Sequence, residues 1–138
     1  MQKPLVPALL FSLLVFFGCS KTTDTPENNA GFWTVKYFLE EDDKLEDTAL
    51  FTGYSFEFNA QNEMVIHLPA GTTQNAIWES APDQKRFSMK MVTPFTPVDK
   101  IMGDWTTVEE TATSIKLEKS IDISPSADAK SVLHLEKQ

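Results

Sequence analysis

From Gly31 onward, large apolar residues recur at every second position. Trp33, Val35, Tyr37 and Leu39 share one face with Thr34 and Lys36 between them, the period of a strand, while Phe32 and Phe38 on the opposite face predict cover on both sides near its ends. Tyr54, Phe56 and Phe58 alternate with Ser55 and Glu57, and Met64, Ile66 and Leu68 alternate with Val65 and His67. The intervening Asn59-Ala60-Gln61-Asn62 predicts a hairpin between these two runs. Ala76 and Trp78 mark a fourth strand after Pro69-Ala70-Gly71, and Phe87, Met89 and Met91 mark a fifth after Ala81-Pro82-Asp83-Gln84. Val98, Ile101 and Met102 have helical spacing inside Pro94–Gly103, which predicts one short helical turn near 97–102. Trp105–Glu110 and Ser114–Glu118 flank Thr111-Ala112-Thr113 as a second hairpin. A loop with Pro125 follows, and Val132–Glu136 closes the chain. Eight short strands at this spacing predict an all-β fold, an eight-stranded antiparallel up-and-down barrel without free edges.

In such a barrel the inward register gathers Trp33, Tyr54, Phe56, Phe58, Met64, Ile66, Phe87, Met89 and Met91, the candidate lining of an interior pocket. Two outcomes follow from their volume. Either the interior stays partly empty and takes a small apolar or amphipathic ligand, or these aromatics fill it and the protein acts through its surface on a protein or glycan partner.

Residues 1–30 have a different pattern. Met1-Gln2-Lys3 is a short basic start, and Leu5–Phe17 is apolar apart from Pro7 and Ser12. Spanning a bilayer as a helix takes about 20 residues, so this shorter run has the proportions of a secretory leader. Phe16-Phe17-Gly18-Cys19 resembles a bacterial lipobox, with a cleaved leader and an incidental cysteine as the plainer alternative. The resemblance implies cleavage before Cys19, three acyl chains on that residue and attachment to a membrane. Anchoring by more than one chain is stable, because each buried methylene contributes about 0.8 kcal/mol. Ser20 in the next position resembles the sorting pattern for the outer membrane; the periplasmic face is favoured, with surface display left open by the lysine at 21. Ser20–Asn29 holds no large apolar residue and reads as a solvated tether with an end-to-end distance of about 15–20 Å. The chain thus divides into a leader (1–18), an anchor and tether (19–30) and a barrel domain (31–138).

Gly31-Phe32-Trp33 on the first strand resembles the Gly-x-Trp motif of lipocalins. With Gly53-Tyr54-Ser55-Phe56 and Asp104-Trp105 in matching places, the stretch from 31 to about 136 is similar to the lipocalin-like domains of small lipoproteins of Gram-negative bacteria. The resemblance implies the barrel and not a particular ligand. Larger lipocalins stack an arginine on the motif tryptophan. The single arginine here, Arg86, lies mid-chain, which leaves Lys137 or Lys116 to take that place.

Composition narrows the function further. A formal charge of −8 argues against a nucleic-acid partner, and loss of Lys3 with the leader adds one more negative unit. One cysteine excludes an internal disulfide and a multi-thiolate zinc site. The acidic run Glu40–Asp47 lacks the spacing of a calcium loop and reads as solvated, so no metal or cofactor is expected. His67 falls on the outer face and His134 on the last strand, without a serine motif beside them; no catalytic residue is assigned and the chain is read as non-enzymatic. Asp47-Thr48-Ala49 resembles an O-glycosylation sequon of exported proteins, with Thr48 as acceptor.

Overall fold

The computed structural model describes residues 29–40, 47–120 and 130–138. The leader, Cys19 and the tether up to residue 28 lie outside these, as do most of the acidic run (41–46) and the loop at 121–129. The strands are β1 (Gly31–Leu39), β2 (Ser55–Phe58), β3 (Glu63–His67), β4 (Thr73–Ala81), β5 (Arg86–Lys90), β6 (Gly103–Glu110), β7 (Ser114–Ser120) and β8 (Lys130–Lys137). Each pairs antiparallel with the next, and β8 returns to β1, so the sheet is a closed barrel in chain order. The expected short helical turn is present as a 3₁₀ turn at Val98–Ile101. Further 3₁₀ turns among the described residues lie at Thr48–Phe51 and Pro82–Gln84.

The alternation read from the sequence sets the inner face almost throughout. Phe56 and Phe58 on β2, Met64 and Ile66 on β3, Trp78 on β4, and Phe87 and Met89 on β5 are all buried. On β6 to β8 the inner positions are Trp105, Ile115, Leu117, Leu133 and Leu135. Outside, charged residues face each other across strands. Lys36–Glu136, Arg86–Glu79, Lys116–Glu109 and Lys130–Glu118 are ion pairs of 2.6–3.6 Å. At such exposure each contributes at most about 1 kcal/mol.

β1 departs from the expected pattern. Its register against β8 steps from Val35 opposite Leu135 to Tyr37 opposite His134, which leaves Lys36 as the extra residue of a β-bulge. One extra residue inverts the alternation beyond it. Phe38 therefore points into the barrel and is fully buried, whereas Tyr37 and Leu39, expected to lie on the face of Trp33, are only half-buried. A second bulge at Val108 does the same to β6 and leaves that valine exposed.

Candidate functional site

Seven of the nine candidate pocket residues are buried together, packed around one another. Trp33, Met64, Ile66 and Phe87 are 0% exposed, and Phe56, Phe58 and Met89 are 1% exposed. Tyr54 and Met91 are half-buried and pack against the margin of the same cluster. The rings interlock: Phe58 lies 5.0 Å from Trp78, 5.8 Å from Phe87 and 6.4 Å from Trp33, in tilted and edge-on geometries. The seven buried side chains of this set leave almost no surface open to solvent. Among the described residues the space between these side chains therefore holds no void of ligand size.

Both ends of the barrel are closed by similar devices. At the end where β1 starts, Trp33 donates its Nε1–H to the carbonyl of Asn29 at 2.8 Å, and the Lys137 ammonium lies 5.6 Å from the ring centroid. Of the two lysines left by the sequence, Lys137 takes the place over the tryptophan. Gly31 has φ +130°, a conformation that requires glycine; a β-carbon there would also stand 2.6 Å from Cε of Lys137, whose flexible end would have to move aside. Asn29 also donates from Nδ2 to Glu110 Oε1 at 2.8 Å, tying the start of the barrel to the β6–β7 hairpin.

At the opposite end, Trp105 donates its Nε1–H to the carbonyl of Ile101 at 2.9 Å, and Lys119 Nζ lies 4.5 Å above its ring. Gly103 (φ +112°) stands two residues before Trp105, as Gly31 stands before Trp33. The sequence shows this second Gly-x-Trp, but its lysine comes from β7 and only the register reveals it. A carbonyl receives each indole N–H and a cation covers each ring, which keeps a large amphipathic side chain buried without an orphan donor.

Two connections roof the end that carries Trp105. Val98 and Ile101, from the β5–β6 connection, are fully buried, and Phe51, from the β1–β2 connection, is 4% exposed and stacks edge-on against Phe38 at 5.5 Å. Sequence reasoning misses Phe51, because it follows an acidic run and belongs to no alternating pattern. Lys100 on the first connection hydrogen-bonds to Glu40 at the end of β1 and latches the roof to the wall. That bond holds the Lys100 ammonium above the ordinary lysine range, with partial desolvation opposing it.

The remaining chemistry is spread over the outer surface. His67 Nε2 is 3.1 Å from Glu57 Oε2 and its ring lies against Phe32. His134 Nε2 is 2.9 Å from Ser114 Oγ, a serine–histidine pair that the 20-residue separation hides in the sequence. Among the described residues no carboxylate is bonded to the other ring nitrogen of His134, so the pair lacks the orienting third group of a triad. Thr48 Oγ1 accepts a hydrogen bond from the Phe38 amide at 2.8 Å, so the hydroxyl of the sequon also fastens the turn to β1. No group of three metal-ligating side chains occurs among the described residues. An apolar depression of about 380 Å³ lies between the first half of β4 and the chain leaving β5, lined by Asn75, Ala76, Ile77, Lys90, Met91 and Val92.

No family model matches the chain, and no curated protein matches it. Among solved structures it is similar to a protein of Bacteroides eggerthii DSM 20697 described as uncharacterized, with 8% sequence identity and a TM-score of 0.48. That match covers 78% of this chain and 98% of the other.

Proposed function

We propose that the protein is a lipid-anchored, non-catalytic interaction module of the outer membrane, built on a solid lipocalin-like barrel and not on a ligand-carrying one. The observation that carries this reading is the interior itself. The side chains that would line a pocket seal one another off, and each end is shut by its own tryptophan, with Phe51, Val98 and Ile101 closing the end with the longer connections. A carrier would have to lift that roof and displace several aromatic rings at once. Anchoring through Cys19, on the far side of a polar tether, leaves the outer surface of the barrel as the part offered to a partner.

The test is uptake of apolar molecules, read by tryptophan emission in the chain carrying Cys19→Ala. Wild-type interior packing should show no saturable binding of a fluorescent fatty acid or of benzene-sized probes. Phe87→Ala, which opens a dry void among apolar neighbours, should gain binding of the small probe. One-to-one binding by the unaltered interior, with a shift in tryptophan emission, would establish the carrier reading instead.

A further inference from the structure

The closed barrel has a gap in one of its seams. β4 pairs with β3 along Thr73–Ile77 and with β5 only along Ile77–Ala81, so its first half has a neighbour on one side alone. Backbone parity shows which groups are left over. The Trp78 amide donates to the Asn62 carbonyl, and the Leu68 amide donates to the Thr72 carbonyl. Even-numbered residues of β4 therefore turn their polar groups toward β3, and odd-numbered ones turn theirs toward β5.

Ile77 opposite Lys90 is the last pair of the β4–β5 ladder at this end. The next positions, Asn75 and Thr73, would meet Val92 and Pro94 in the same register. Pro94 has no N–H to give, and the chain turns away with Val92 fully exposed. The N–H and C=O groups of Thr73 and Asn75 thus face an opening. Its floor is the apolar depression formed by Ala76, Ile77, Met91 and Val92, and its one charged lining residue is Lys90. Lys90 has no ion-pair partner among the described residues, in a chain of formal charge −8. A free strand edge, an apolar socket and a lone cation together fit a peptide backbone, an aliphatic side chain and a carboxylate.

We propose that the gap between Thr73–Asn75 and Val92 is a docking site for an extended segment of a partner protein. The segment adds as a short strand to the free edge of β4, seats an aliphatic side chain in the depression and places an acidic residue near Lys90. This assignment rests on the interaction-module reading and names its surface and partner class. A second copy of the chain is the weaker occupant, since its own edge at Thr73–Asn75 brings no carboxylate to Lys90.

The test uses the mature acylated chain in detergent micelles, with amide NMR shifts followed during titration by acetylated, amidated Ser-Glu-Leu-Thr-Ser. Saturable shifts should centre on Thr73, Asn75 and Val92, with slowed hydrogen exchange at the first two amides. Peptides with Gly for Leu or Lys for Glu should bind at least fivefold more weakly. Asn75→Pro should abolish binding while keeping the barrel, because the N–H it removes faces the gap and serves no ladder. Val92→Asp weakens binding at an exposed position, so it decides the matter if the proline variant does not fold.

Absence of saturable shifts at these amides, equal binding of all three peptides, or wild-type binding by Val92→Asp would overturn the assignment. So would concentration-dependent shifts of the same amides without peptide, which would mark self-association. Failure of the peptide while the interior stays closed to apolar probes removes only this site; uptake of a probe into the interior removes the interaction reading as well.

Discussion

At the scale of single residues, the glycines of the two Gly-x-Trp closures are constrained in different degrees. Gly31→Ala meets both a positive φ and the Lys137 side chain, and should destabilise the barrel by more than about 1 kcal/mol in urea unfolding. Adding Lys137→Ala should recover only some of that loss, since it removes the collision and leaves the backbone strain. Trp33→Ala empties a fully buried site and should cost about 3–5 kcal/mol. The opposite sign is expected at Thr107, which is buried with its hydroxyl unpartnered among the described residues while its amide bonds to the Lys85 carbonyl. Thr107→Val keeps the shape, removes the orphan group and should raise stability by about 1 kcal/mol in the same assay.

Among the elements, the strands whose apolar residues strictly alternate were legible in the sequence, because burial on one face and solvent on the other forces a period of two. Phe56–Phe58, Met64–Ile66 and Phe87–Met89 lie on the inner face where the pattern placed them. The pattern failed where something other than hydropathy set the geometry. The bulge at Lys36 is a register event between strands far apart in the chain, and the first half of β4 is polar and exposed because no β5 residue covers it. Seven of the nine residues read as pocket lining are buried, with Tyr54 and Met91 at the margin, and whether such residues leave a space depends on how their rings interlock, which no single strand encodes.

The Lys100–Glu40 latch joins the β5–β6 connection to the end of β1. Its lysine has a folded-state pKa above the unfolded value, so its contribution is complete below the unfolded value, near 10.4, and is lost as pH rises through the higher folded value. Lys100→Met should speed amide hydrogen exchange at Ile101 and Met102 at neutral pH, while in the parent chain the same loosening should wait for the alkaline range. Equal exchange in the two proteins at pH 7 would show that apolar packing alone holds the roof.

For the whole molecule, closure of β1 on β8 makes the barrel one cooperative unit. Circular dichroism should show β-structure with little helix, and heating should give a single transition by both far-ultraviolet signal and tryptophan emission. Cys19→Ala should shift the protein from the membrane pellet to the soluble fraction or stall its processing; retention in the pellet at high salt would refute the lipid anchor. The place where the chain enters the barrel has a mechanical consequence. Asn29 and the start of β1 stand at one pole, and the gap beside Thr73 stands at the other, where β4 begins. Tension between an anchored tether and a bound partner would pull β1 lengthwise between β2 and β8, so the hydrogen bonds of both ladders carry the load together and do not break singly. The Asn29–Glu110 bond adds a strain relief at the point of entry. Resistance to such a pull is set by the unfolding rate and not by equilibrium stability, and a barrel drawn at these two poles is loaded in shear, a geometry suited to holding a partner against force at a membrane.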